Sequence, residues 1–291
     1  MEHKAGFVNI LGNPNVGKST LMNALVGEKL SIISPKVQTT RHRILGIVNG
    51  DDYQVVYSDT PGILKPSYRL HETMLRTVKT ALTDADVLIY MTELHDEAEI
   101  NSEILNKLQK TKVPLLLLVN KVDLAKPGET EARIISLQAT FPSAEIYAIS
   151  ALHRFNVESV SGRVLELIPV CPPYFPKDEL TDRSERFFAS EIIREKIFLN
   201  YKQEIPYSCE VVVDAFREEE KIIRIAATIY VMRDSQKGIL IGNKGSALKK
   251  TGTQARLDIE KFFGKKVFLE LFVKESHDWR NADKKLKEFG Y

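Results

Sequence analysis

Apolar residues fall into two different patterns along this chain, and the change between them divides it. In the first half, continuous apolar runs such as Gly6–Leu11 and Pro114–Val119 have no polar face. They predict strands buried on both sides of a parallel sheet. Shorter runs at Gln54–Ser58 and Glu145–Ile149 predict two more strands. Between strands the spacing becomes helical: Leu21, Met22 and Leu25 begin one stripe, and another helix starts near Asn156. Strands alternating with helices predict an α/β domain with a mostly parallel sheet.

From about residue 185 the order changes. Tyr207–Val213 and Ile222–Ile229 read as a strand pair turned at Arg217–Glu220. A short helix, a loop with glycines at 242 and 245, a helix to about Phe263 and a strand at Val267–Val273 follow, which predicts a smaller α+β domain. Pro169, Pro172, Pro173 and Pro176 lie between the two patterns and favour an extended linker. The expected organisation is therefore a domain over 1–170, a proline-rich linker over 171–184, and a second domain with a C-terminal tail over 185–291.

Candidate chemistry sits at the strand ends. Gly12-Asn13-Pro14-Asn15-Val16-Gly17-Lys18-Ser19 follows the first strand and opens the first helix, which is the context a phosphate-binding loop requires. The loop N–H groups and the helix N-terminus suit a pyrophosphate, Lys18 reaches terminal phosphates, and Ser19 offers a hydroxyl to Mg²⁺. Asn120-Lys121-Val122-Asp123 follows the third expected strand, Pro114–Val119. A carboxylate at Asp123 accepts from two donors that guanine presents and adenine does not, so the base is guanine. Asn120 is placed to tie this loop to the phosphate loop, and the Lys121 stem to lie across the ring. Ser150-Ala151-Leu152 would bring backbone N–H groups to guanine O6.

Asp59-Thr60-Pro61-Gly62 supplies a γ-phosphate sensor, with Asp59 holding Mg²⁺ through water and the Gly62 N–H reaching the phosphate. The polar stretch Ser31–Arg43, ending in Gln38-Thr39-Thr40-Arg41-His42-Arg43, is expected to cover the phosphates. Either Thr39 or Thr40 would coordinate Mg²⁺, with Thr40 favoured because it directly precedes the Arg41-x-Arg43 element. Ile63 stands where many GTP switches carry a water-orienting glutamine, so intrinsic hydrolysis of GTP to GDP is expected to be slow.

On Pro14-Asn15, Gln38–Arg43 and Asp59–Gly62 the chain resembles the Era family of bacterial ribosome-assembly GTPases, within the translation-factor class. The resemblance implies a P-loop GTPase domain followed by a type II KH domain, a fold that clamps single-stranded RNA with a Gly-x-x-Gly loop. Gly242-Asn243-Lys244-Gly245 fits that demand, and Lys249, Lys250, Lys265 and Lys266 are candidate phosphate contacts beside it. It also implies the partners: the 3′ region of small-subunit ribosomal RNA, the assembling subunit, and a peripheral membrane contact that would use a basic surface. Asn15 is a candidate K⁺ ligand by the same resemblance; a turn-stabilising role explains it equally well. A metabolic kinase would lack the Asn120 and Asp123 pairing, and an RNA chaperone would not need intact nucleotide motifs.

Net charge is only +2, but residues 185–291 carry +4 and the rest −2, and Lys237–Lys266 has eight basic residues against two acidic ones. That asymmetry places any RNA surface in the second domain. Two cysteines suit a reducing compartment, the N-terminal Met-Glu-His-Lys has no signal-peptide character, and no apolar run approaches a membrane span. The expectation is a cytoplasmic monomer whose histidines are surface or structural residues and whose Trp279 packs the C-terminal helix.

Overall fold

A computed structural model of the chain describes residues 2–95 and 101–291; Met1, the first residue of the N-terminal tetrapeptide, lies outside them. The chain divides into two compact units, Met1–Ser67 with His71–Asp182, and Tyr68–Leu70 with Arg183–Tyr291.

The first unit is built on strands β1 (Lys4–Gly12), β2 (Ile44–Asn49), β3 (Tyr53–Asp59), β4 (Val87–Glu93), β5 (Leu115–Asn120) and β6 (Glu145–Ala148). They form one sheet in the order β2-β3-β1-β4-β5-β6, parallel except for the β2–β3 pair. Every residue of β5 is buried, as its continuous apolar run requires. Helices α1 (Lys18–Val26), α2 (Arg69–Ala81), α3 (Ser102–Gln109), α4 (Glu129–Thr140) and α5 (Val157–Leu167) connect the strands. Two apolar clusters result, one around Ile10, Val55, Ile89 and Val164 and the other around Leu11, Tyr90, Leu117 and Phe141. The sequence reading did not single out β2 or β4. The apolar stretch of β2 is broken by Gly46, and the strand gains its identity from antiparallel pairing with β3. Parallel order brings Gly12, Asp59 and Asn120, the last residues of β1, β3 and β5, to one edge, where open α/β sheets place their ligands.

The proline-rich segment is extended, yet it is fastened to the first unit. The buried Gln54 side chain accepts from the backbone N–H groups of Tyr174 and Phe175 at 2.8 and 3.0 Å and donates to the Phe175 carbonyl at 2.8 Å. Farther along, the Ile47 N–H donates to Leu180 and the Thr181 hydroxyl to Leu45.

The second unit has strands β7 (Glu210–Glu218), β8 (Ile222–Val231) and β9 (Lys266–Glu275). The central β8 is antiparallel to β7 and parallel to β9. The strand pair turns at 219–221, a residue or two later than the charged run suggested, because the pairing of Glu218 with Ile223 extends the ladder into that run. Helices α6 (Glu185–Asn200), α7 (Ile205–Ser208), α8 (Asp234–Ile241), α9 (Ser246–Phe263) and α10 (Asp283–Glu288) complete it. Ile193, Ile197, Leu240, Ala255 and Ile259 pack on one sheet face with Val211, Ile225 and Val267. Trp279 is fully buried, donates to the Ser208 carbonyl at 2.9 Å and packs edge-on against Phe289. No helix among the described residues is long and apolar enough to cross a membrane.

Gln54→Leu leaves the part-buried Tyr174 and Phe175 N–H groups without their acceptor and is expected to destabilise the first unit by about 1–3 kcal/mol. Urea denaturation measures the loss, and limited trypsin digestion should newly cut after Lys177, which a segment still bound in place would resist.

Candidate functional site

The loop from Gly12 to Lys18 runs from β1 to α1, and its geometry depends on backbone that few residues adopt. Gly17 has φ 103°, and a Cβ there would lie 2.3 Å from the Asn120 amide nitrogen. Glycine therefore lets Asn120 reach the loop. The Asn120 side chain donates to the Val16 carbonyl at 2.8 Å and accepts from the Ala151 N–H at 2.9 Å. One amide thus joins the loops after β1, β5 and β6. The Ala151 N–H, expected near a base oxygen, is engaged inside the protein.

A groove of about 460 Å³ opens over these loops, lined by Pro14, Asn15, Gly17, Lys18, Ser19, Gln38, Thr39, Thr40, Gly62, Asn120, Lys121, Asp123, Ser150 and Leu152. The sequence reading did not name its other lining residues, Thr20, Ile32, Ile33, Ser34, Pro35, Lys36 and Leu124. Apart from Thr20 and Leu124, they belong to the polar cover segment, where no motif marks individual positions. Gly12, Asn13, Val16, Arg41, His42, Asp59, Thr60, Pro61 and Ala151 are not part of the lining. Several of them act from behind it: Thr60 donates to the Ile10 carbonyl at 2.7 Å, Val16 packs in the core, and Arg41 is almost wholly buried. Lys18 donates to the carbonyls of Gly12 and Asn13 at 3.0 and 2.8 Å.

Three oxygens converge at the phosphate end. The Ser19 hydroxyl donates to Asp59 Oδ2 at 2.7 Å and lies 2.9 Å from the Thr40 hydroxyl, which is itself 3.3 Å from Asp59 Oδ2. Thr39 faces the other way: its hydroxyl donates to the Lys36 carbonyl at 2.7 Å and contacts Ser34 at 2.6 Å. The geometry thus favours Thr40 over Thr39. Asp59 Oδ1 is buried without a hydrogen bond. Burial holds the Asp59 carboxyl above its ordinary range, opposed by the Ser19 hydrogen bond and the Lys18 charge. A hard oxygen donor set with an orphaned carboxylate oxygen fits Mg²⁺.

Asn15 has φ 64°, a conformation asparagine tolerates, and its amide nitrogen donates to the Pro35 carbonyl at 3.1 Å. Turn formation uses the backbone and the nitrogen, leaving Oδ1 for a cation, so the geometry accommodates both readings. Ile63 is buried among Leu11, Val78 and Tyr90, and its N–H donates to the Gly12 carbonyl at 3.1 Å. At the base end, the Lys121 ammonium pairs with Glu93, and His153 stands 3.8 Å from the Asp123 carboxylate. Neither Glu93 nor His153 belongs to a motif, and only register and loop closure bring them there.

In the second unit, Gly242 has φ 73° and a Cβ there would lie 2.7 Å from the Ala247 Cβ; Lys244 and Gly245 are left-handed too. The loop passes directly from α8 to α9. A groove of about 360 Å³ beside it is lined by Gly245, Leu248, Lys249, Gly252, Thr253, Arg256, Leu269 and Leu271. Lys249 borders it, whereas Asn243, Lys244 and Lys250 are exposed outside the lining, Lys265 is paired with Glu218 at 2.9 Å, and Lys266 lies 3.7 Å from Glu260. The apolar floor of Leu248, Leu269 and Leu271 carried no charge signal in the sequence.

The model of a family described as 50S ribosome-binding GTPase matches residues 7–121, and a KH-domain model matches 204–280. The chain is 46% identical over 294 aligned positions to GTPase Era of Syntrophus aciditrophicus, covering 99% of this chain and 95% of that one. It is 44% identical to GTPase Era of Staphylococcus haemolyticus, covering 100% and 98%. Among solved structures it is similar to Era in complex with MgGDPNP and nucleotides 1506–1542 of 16S ribosomal RNA, with a TM-score of 0.94 and 37% identity over 99% of both chains. A single-substitution variant of Aquifex aeolicus Era bound to GDP·AlF4⁻ gives a TM-score of 0.94 at 36% identity, again over 99% of both.

Because its folded-state pKa is raised above 3.8, the Asp59 contribution to stability is full below that pH and is lost as pH rises through the folded value. Above the ordinary carboxylate range, burial of this carboxyl therefore costs the metal-free protein stability. Asp59→Asn is expected to raise the Tm of nucleotide-free protein in EDTA at pH 7 by about 2–4 °C and to abolish the further rise that Mg²⁺ and GTP produce in the parent. Calorimetry with and without Mg²⁺ and GTP checks both.

Proposed function

Since the chain belongs to the Era family of GTPases, we propose that it is a GTP-driven switch that binds the 3′ region of 16S ribosomal RNA during assembly of the small ribosomal subunit. The observation that carries the nucleotide half is the convergence of Ser19, Thr40 and Asp59 in a cleft whose other end holds Asn120 and Asp123. The loop N–H groups and Lys18 bind the phosphates, and Gly62 stands against the phosphate loop at Pro14, where a change in one loop is felt by the other. Ser19 and Thr40, with Asp59 behind them, would hold Mg²⁺, which would supply charge neutralisation at the transferring phosphoryl group. Catalysis is chiefly positioning and electrostatics. The core packing of Ile63 removes that side chain from the task of orienting water, which supports slow intrinsic turnover.

The RNA half rests on the Gly242–Gly245 loop and the adjoining groove, whose polar rim and apolar floor suit splayed bases. Loss of the γ-phosphate releases the segments 31–43 and 59–70, and hydrolysis thereby ends the RNA-bound state.

Asp123→Asn should exchange guanine for xanthine, since an amide donates where xanthine presents a carbonyl. We expect at least a tenfold loss of GTP affinity with a gain for xanthosine triphosphate, measured by titration calorimetry; unchanged selectivity would refute the base assignment.

Replacing Asn243 and Lys244 together by aspartate keeps both glycines and adds two negative charges to the loop. Affinity for single-stranded 16S 3′ RNA should fall by at least a hundredfold while GTP affinity stays within twofold, as read by filter binding.

A further inference from the structure

The sheet of the second unit has one face covered by helices; on the other, Phe289 and Tyr291 after α10 pack at the end that holds Tyr230 and Glu210, and the remainder presents exposed aromatic rings from β9. Odd-numbered residues of β9 point to the helices, with Val267 in the core and Leu269 and Leu271 on the groove. Its even-numbered residues, Lys266, Phe268, Glu270, Phe272 and Lys274, point to the opposite face. Phe268 and Phe272 are 45% and 50% exposed there.

Register places Arg217, Arg224 and Phe268 side by side across β7, β8 and β9. Two arginines directly opposite each other are unfavourable for the sheet itself. Arg224 nevertheless lies 5.5 Å over the Phe268 ring, steadied by Glu219 at 2.9 Å, and Arg217 makes no ion pair among the described residues. Farther along β9, Lys274 is likewise unpaired and stands beside Tyr230. The acidic groups on the face are Glu270 between the two rings, Asp214, which accepts from the Thr228 hydroxyl, and Glu210, which is buried beside Tyr230 and accepts from the Tyr291 hydroxyl.

We propose that this face is a second RNA surface, on which two unpaired bases stack on Phe268 and Phe272 while Arg217, Arg224 and Lys274 meet the flanking phosphates. Cations alternating with exposed aromatic rings complement a chain of phosphates and π-faces. The rings sit about 13 Å apart along the strand, far enough to serve as separate positions. The surface is also continuous with the groove, because Leu269 and Leu271 of the same strand line the groove from the other side. RNA leaving the groove across the β9 edge passes onto the face. The proposal rests on the RNA-binding reading of the groove given above.

The test uses the full chain with two probes: a 16-nucleotide single-stranded RNA matching the 3′ end of 16S ribosomal RNA, and tetranucleotides tiling the same sequence. Phe268→Ala with Phe272→Ala should weaken the 16-mer by roughly 10- to 100-fold and leave tetranucleotide binding unchanged, which also certifies the fold. Phe268→Tyr with Phe272→Trp should restore 16-mer affinity. A 4-thiouridine-substituted 16-mer should crosslink to the β9 peptide. Unchanged 16-mer affinity in the alanine variant would overturn the second surface while leaving the groove reading intact. Failure of the groove reading shows differently, as unaltered tetranucleotide binding in the Asn243→Asp, Lys244→Asp variant. A parent protein that sediments as a dimer, with the alanine variant a monomer, would assign the face to self-association and overturn the proposal as well.

Discussion

The nucleotide cleft depends on one buried side chain. Asn120 bonds Val16 and Ala151 at once, so the phosphate loop, the base-reading loop and the loop after β6 form a single rigid edge. Parallel strands deliver the three loops to the same edge, yet each loop is irregular and would otherwise be free to move. Asparagine fits because it offers a donor and an acceptor in one plane. The close approach works only because residue 17 has no Cβ. Asp123 and Lys18 are thereby held in register across the groove.

A second constraint is electrostatic. Asp59 is wholly buried, with one oxygen satisfied by Ser19 and the other unbonded. Such a carboxylate destabilises the protein without a cation and favours the state that holds one. The same oxygen set belongs to separate segments, Thr40 in the cover and Asp59 at the end of β3. Binding at the phosphate end therefore draws the cover onto the cleft, which is the physical content of a switch.

The second unit separates its tasks by side-chain parity. Along β9, one set of residues closes the core and floors the groove while the alternate set meets solvent. Because the strand is an edge of its sheet, both faces and the free edge lie within reach of one flexible polymer. An exposed apolar edge is otherwise an aggregation hazard, so charged residues at Lys266, Glu270 and Lys274 serve solubility as well as recognition.

The amino-acid sequence by itself determined the parts whose signal is local. The phosphate loop, the Asn120–Asp123 motif, the Gly242–Gly245 loop and the alternation of strands with helices were all legible, because backbone conformation and ligand chemistry there are set by neighbouring residues. The sequence also named Thr40 over Thr39, but only the tertiary structure turned one hydroxyl toward Asp59 and the other toward Ser34. Strands β2 and β4 were not singled out, and the proline-rich segment read as a linker although Gln54 fastens it to the sheet. Glu93 at Lys121, His153 at Asp123 and the row from Arg217 to Phe268 were invisible, since each joins residues from different elements. Local propensity cannot carry such information. It arises from strand register and packing, which exist only once the whole sheet has formed.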